Sequence, residues 1–175
     1  MIKEELNTKL RSILSDNKCY NPATIFNPLS VRIASEVGFS LGIIPGKIVA
    51  LDYLAEPDLM LLTLSELTDT VRRIAKSSKI PLIVDADHGY GNALNVHRTV
   101  ECLEDAGASG ISIEDTDLPL KFGLNTGEQC FITLKEAAMK IKIAVDTKNI
   151  KSTCIIARIG SYQQKGIDDI LERAQ

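Results

Sequence analysis

The sequence predicts an α/β protein, with βα units laid around a parallel sheet as in the front part of a (β/α)8 TIM barrel cut after about five strands. Three observations lead there. Short β-rich runs alternate along the chain with amphipathic stretches of helical period. Those runs are almost continuously apolar rather than alternating, as expected when both faces of a sheet are covered. Three of them run into charged residues, Asp85, Glu114 and Arg158, and parallel α/β proteins gather their chemistry at such strand ends. A complete barrel takes eight strands and typically ~250 residues. This chain has 175 and reads as one incomplete barrel domain over 1–175.

Each element has its local reason. Ile2, Leu6, Leu10, Ile13 and Leu14 recur at helical spacing and form the opening helix. Two Asn-Pro pairs break helix on either side of a short strand at residues 23–26. Pro28 suits the first turn of the next helix, which runs through Ile33 and Ala34 and stops near Gly38. Residues 41–44 read as a second strand, ended by Pro45-Gly46. Ser65 is the expected cap of a helix carrying Leu67, Val71, Ile74 and Ala75 on one face. Residues 81–84 form a strand running into Asp85-Ala86-Asp87. Helix returns from about Asn95 to Ala106 and closes at Gly107. Residues 110–113 form a strand running into Glu114-Asp115. Thr133 and Glu136 make a capping box for the helix of Leu134, Ala137, Ala138, Ile141 and Val145. Residues 153–157 form a strand ending at Arg158, and a last helix begins near Gly166.

Charge and composition exclude several classes. With 20 basic and 23 acidic residues the net charge is −3, which supplies no attraction to nucleic acid or to an anionic membrane. Trp is absent and aromatics make up 5%, too few for base-stacking platforms. No apolar run reaches the ~18 residues of a membrane span, and the acidic start lacks the basic and apolar regions of a signal peptide. Cys19, Cys102, Cys130 and Cys154 form no CxxC pair and read as free thiols of a cytoplasmic protein.

The strand ends carry the chemistry. Asp85 and Asp87 are two apart, so on an extended strand they face the same side. Two such carboxylates repel unless a cation lies between them. Oxygen ligands without a Cys or His cluster suit Mg²⁺ or Mn²⁺, and Glu114 lies within reach of the same ion from the next strand. Arg158 is placed to clamp a carboxylate bidentately. Pro45-Gly46-Lys47 offers backbone N–H groups and an ammonium to an anion. His88 sits beside Asp87 in the Gly-rich loop His88-Gly89-Tyr90-Gly91-Asn92 and is a candidate substrate contact. Asp115 reads as a solvated loop acid or cap, and His97 as a surface residue. These residues alone point to a divalent-metal α/β enzyme acting on a small anionic substrate.

The stretch Val84-Asp85-Ala86-Asp87-His88-Gly89-Tyr90-Gly91-Asn92, followed by Gly110-Ile111-Ser112-Ile113-Glu114-Asp115, resembles the isocitrate lyase/phosphoenolpyruvate mutase superfamily. Pro57-Asp58 and Ile155-Ile156-Ala157-Arg158 are similar to two further landmarks in the same order. The similarity covers nearly the whole chain and runs closest to the oxaloacetate decarboxylase branch. It implies a modified (β/α)8 barrel, assembled as a homo-oligomeric dimer or tetramer, that binds small α-keto acids on Mg²⁺, with Mn²⁺ as the other candidate. It implies Asp85 as direct metal ligand, with Asp58, Asp87 and Glu114 holding metal-bound waters, and Arg158 on a substrate carboxylate.

Departures from the family pattern narrow the reaction. Lyase members carry a K-[KR]-C-G-H loop, where this chain has Lys121-Phe122-Gly123-Leu124 and no cysteine. That argues against isocitrate or methylisocitrate cleavage. The substrate loop is Pro45-Gly46-Lys47, and Ile159-Gly160 follow Arg158 where relatives carry Thr and then Asp or Asn. The resulting expectation is Mg²⁺-dependent decarboxylation of oxaloacetate, or a similar α-keto acid, to pyruvate and CO2 through a metal-stabilised enolate. Asp85, Asp87 and Glu114 are the metal residues of that expectation. Arg158, Asp58 and His88 are its catalytic residues, and Gly46, Lys47 and Arg158 bind substrate. The alternatives are another C–C lyase, a mutase- or hydrolase-type reaction, or an inactive fragment.

Overall fold

Five parallel strands stand side by side in chain order: β1 (Ala23–Thr24), β2 (Gly42–Ile44), β3 (Leu82–Asp85), β4 (Gly110–Glu114) and β5 (Cys154–Arg158). The computed structural model describes residues 2–119, 121, 123 and 130–175, so the departures at Phe122 and Leu124 lie outside the described residues. The helices are α1 (Ile2–Ser15), α2 (Pro28–Val37), α3 (Gly46–Leu54), α4 (Leu64–Ala75), α5 (Ala93–Ala106), α6 (Leu134–Thr147) and α7 (Tyr162–Ala174). A doubly wound sheet reverses its strand order at a switch point. This one never does, which is the order of barrel staves.

The core lies between the sheet and its helices. Ile25, Ile44, Leu82, Val84 and Ile111 from the strands are fully buried against Leu67, Val71 and Ile74 of α4 and Val96, Val100 and Leu103 of α5. Spacings of three and four bring each helical set onto one face. On the other face of the sheet, Ile43 and Ile83 are only half-buried. At the opposite end from the charged strand termini, Glu104 is buried at 3% exposure. Its carboxylate accepts the N–H groups of Asn149 (2.8 Å) and Ile150 (3.1 Å) and the hydroxyl of Thr153 (2.7 Å). Asn7 of α1 donates to the same hydroxyl oxygen at 3.0 Å, tying α1, α5 and the entry to β5 together.

Several boundaries depart from expectation. β1 keeps two residues, although the Ile25 N–H still donates to the Ile43 carbonyl at 2.8 Å. Pro45-Gly46 does not simply end β2, because Pro45 is the N-cap of α3. Thr63 rather than Ser65 caps α4: its hydroxyl oxygen accepts the Glu66 N–H, and its own N–H donates to the Glu66 carboxylate at 2.8 Å. The Thr-x-x-Glu spacing is what makes that reciprocal pair possible. Asn92 caps α5, which therefore begins at Ala93. Gly166 does not start α7 but breaks it, at φ 78°. Asp115 is neither solvated nor a cap. It is 5% exposed, accepts the Gly160 N–H at 2.9 Å and pairs with Arg173 of α7 at 3.2 Å. Among the described residues no helix is long and apolar enough to cross a membrane.

Candidate active site

The parallel register sets the charged strand ends side by side. Glu114 stands opposite Arg158, and Asp85 opposite Ser112, two residues before Glu114. Arg158 Nη1 lies 3.2 Å from Asp85 Oδ2 and 3.2 Å from Glu114 Oε2. These three residues, with Asp87, Asp58, Lys47 and Thr116, line a cavity of about 340 Å³. A larger cavity, about 540 Å³, lies between α6, α7 and β5 behind Glu114 and Arg158, and its walls are mainly apolar. Of these two cavities, the smaller is where the acids and Lys47 meet among the described residues.

Asp87 reaches this cavity by a turn, not by strand alternation. β3 ends at Asp85, and Asp87 takes a left-handed φ of 47°. Its N–H donates to Asp85 Oδ1 at 3.2 Å, and its carbonyl accepts the Glu114 N–H at 2.7 Å. Gly89, Tyr90 and Gly91 follow at positive φ. The Asp87 carboxylate then packs on the first turn of α3, where a Cβ on Gly46 would meet Asp87 Oδ2 at 2.9 Å. Glycine at 46 is thus what lets helix α3 and the carboxylate approach so closely.

Electrostatic strain is concentrated on the acids. Burial pushes the Asp87 carboxyl up to about 7, helped by Asp85, Asp58 and Glu114 and opposed by Arg158. Asp85 and Glu114 are also raised, by burial above all, and Arg158 pulls both back. Arg158 therefore answers two carboxylates, while Asp87 is pushed up by three neighbours. A hard divalent cation fits this donor set, because every donor is a carboxylate oxygen and the cluster is short of positive charge. Among the described residues no three such groups converge tightly on one point; the donors surround the cavity instead.

Most of the expected site residues come together here: Asp58, Asp85, Asp87, Glu114, Lys47 and Arg158 line the cavity, and Gly46 underlies Asp87. His88 does not join them. The residue is 7% exposed and lines an adjoining cavity with Tyr90, Asn95 and Arg98. Burial first, and Lys140 second, push its imidazole down to about 4, so it is neutral at pH 7. Its Nδ1 has no partner among the described residues. Two contributors escaped the sequence reading. Thr116, 2% exposed, helps to hold down the Glu114 carboxyl and lines the acid cavity. Its signal was its place two residues beyond Glu114. Lys140 carried no signal, since its partner is remote in sequence.

A parallel βα sheet with acids and an arginine on adjacent strand ends is the arrangement on which barrel folds build their sites. The family model described as phosphoenolpyruvate phosphomutase matches residues 10–175, and the chain belongs to that family, within the isocitrate lyase/phosphoenolpyruvate mutase superfamily. It is 46% identical over 166 residues to an oxaloacetate decarboxylase of Rhodopseudomonas palustris (strain BisB18), covering 95% of this chain and 57% of that protein. Among solved structures it matches a phosphonopyruvate hydrolase in complex with oxalate and Mg²⁺, at TM-score 0.83 and 32% identity, over 100% of this chain and 59% of that one. An oxaloacetate acetylhydrolase in complex with the inhibitor 3,3-difluorooxalacetate matches at TM-score 0.87 and 30% identity, over 97% of this chain and 59% of that one. The expected superfamily barrel fold is thereby established, with the chain spanning 57% of the length of the curated relative.

Proposed function

We propose that this chain supplies the metal- and carboxylate-binding side of a lyase that decarboxylates oxaloacetate, or a similar small α-keto acid, to pyruvate and CO2. The observation that carries the reading is the acid cavity, in which half-buried, mutually repelling carboxylates face one guanidinium. The choice of oxaloacetate is supported by the 46% identity to a decarboxylase of that acid.

Asp85 would bind Mg²⁺, or Mn²⁺, directly, and Asp58, Asp87 and Glu114 would hold its bound waters, an arrangement that needs no tighter convergence than the cavity has. When bound, the ion supplies Lewis acidity that stabilises the negative charge of an enolate. Arg158 orients a substrate carboxylate, drawn from its pairs with Asp85 and Glu114. Lys47 and the N-terminus of α3 border the cavity and favour the second anionic group. In the reaction the C3–C4 bond of oxaloacetate breaks and CO2 leaves from C4. The bonding pair moves toward the C2 oxygen, and a proton then adds at C3 to give pyruvate. Nothing in that sequence requires a side-chain nucleophile, in keeping with the absence of a cysteine at the lyase-loop position.

A homo-oligomer belongs to the same reading, supported by Leu29, Ile33 and Val37, which leave one stripe of α2 exposed. The test of function is pyruvate release from oxaloacetate with Mg²⁺, compared with Asp85→Ala, since the free ion already decarboxylates this acid slowly. Loss of the protein-dependent rate in the variant supports the proposal. Equal rates refute it, and turnover of phosphonopyruvate alone moves the reading to a hydrolase.

A further inference from the structure

We propose that Lys140 is a positioning residue, whose buried ammonium pins the turn after β3 and so sets how tightly the acid cavity holds a divalent cation. The proposal rests on the cation reading above. Lys140 lies mid-way along α6 and is 3% exposed, whereas Lys135 and Lys142 on the same helix are exposed. Its Nζ donates to the carbonyl of His88, 52 residues away, at 2.8 Å. Burial lowers its pKa, with Glu136 and Asp117 pulling the other way. Burying an ammonium is costly, and a neutral donor would satisfy a carbonyl at less expense.

The turn it holds is one that needs holding. Asp87, Gly89, Tyr90 and Gly91 all sit at positive φ, and two of them are not glycine. Such backbone persists only where its surroundings over-determine it. Three successive carbonyls are pinned by three separate elements. The Asp87 carbonyl accepts from the Glu114 N–H of β4 at 2.7 Å, His88 from Lys140 of α6, and Gly89 from the Thr99 hydroxyl of α5 at 3.1 Å. Lys140 is the central pin, one residue from Asp87. On the side away from the cavity the Asp87 carboxylate is backed by Gly46, where an added Cβ would lie 2.9 Å from its Oδ2. Movement of the turn therefore moves the carboxylate directly, as when an outer hydrogen bond aims a metal ligand.

The test compares Lys140→Met, Lys140→Arg and the control Lys142→Met in two measurements on this chain. Amide hydrogen exchange of Gly89 and Glu114 is expected to speed up at least tenfold in Lys140→Met, with α1 unchanged. Mn²⁺ titration is expected to show affinity about tenfold weaker in Lys140→Met, the lower end of the usual outer-ligand effect, partly recovered in Lys140→Arg and unchanged in Lys142→Met. Unaltered local exchange overturns the proposal. So does faster exchange with unaltered Mn²⁺ affinity, because the turn then does not govern the cation site. Absence of Mn²⁺ binding by the unmodified chain instead refutes the cation reading, and is seen before any variant is made. Should Lys140→Met not fold, Lys140→Gln, whose amide ends one bond short of the Nζ position that meets the His88 carbonyl, carries the same comparison.

Discussion

Divalent-ion binding by this protein should release protons, and the amount is set by Asp87. Its carboxyl is pushed up to about 7 by burial and by Asp85, Asp58 and Glu114. A cation that needs the carboxylate must displace whatever proton is present. At pH 8 the group is roughly nine-tenths ionised and at pH 6 roughly one-tenth, so the apparent affinity for Mg²⁺ should fall about tenfold across that range. About half a proton should leave per ion bound at pH 7, rising toward one at pH 6. Isothermal titration in two buffers of different ionisation enthalpy measures both quantities. The same shift has a consequence for stability. An acid whose folded pKa is raised above its unfolded value stabilises the fold while protonated, and that contribution is lost as pH rises from about 4 through about 7. Thermal stability in chelator should therefore decline over that window, and saturating Mg²⁺ should remove the decline. Affinity that is flat from pH 6 to pH 8, with no proton released, would show that Asp87 is not in the cation's shell.

Arg158→Met leaves Asp85 and Glu114 without their shared guanidinium; kcat/KM for oxaloacetate should drop at least about a hundredfold, or ~3 kcal/mol, in steady-state assays, and a loss under threefold contradicts the clamp. Glu104→Gln turns an acceptor that receives three hydrogen bonds into one that faces a donor with a donor. Stability should fall by about 2 kcal/mol, or roughly 4–8 °C in calorimetry. Asp115→Asn leaves Arg173 buried without one of its two carboxylates, though Asp169 still accepts from Nε at 2.9 Å. A loss of about 2–3 kcal/mol is expected, and limited proteolysis should cut α7 first.

Much of the site was legible because parallel strands advertise their ends. Unbroken apolar runs stop at Asp85, Glu114 and Arg158, and register alone then makes those residues neighbours. Asp87 was placed on the right side for the wrong reason, since a left-handed turn rather than strand alternation brings it round. The same turn carries His88 to the adjoining cavity, which adjacency in sequence does not reveal. Helix α3 was missed because Pro45-Gly46 reads as a turn, although Pro also suits a helix start. Thr63 was overlooked in favour of Ser65, yet Glu66 three residues on marked the true cap. Asp115 and Lys140 were out of reach of local reading altogether. Their partners, Arg173 and the His88 carbonyl, come from other elements more than fifty residues away in sequence.

The strand that carries Arg158 is also one of the two outermost strands of the sheet among the described residues. The outward backbone groups of β5 have no ladder partner there, so that edge is open to pairing. A segment that adds to it changes the surroundings of the guanidinium, which is half-exposed at present. Thermodynamic reciprocity then runs in the other direction too: an anion held by Arg158 alters the affinity of that edge for its neighbour by the same factor. Ligand recognition and completion of the sheet are thereby two readings of one equilibrium.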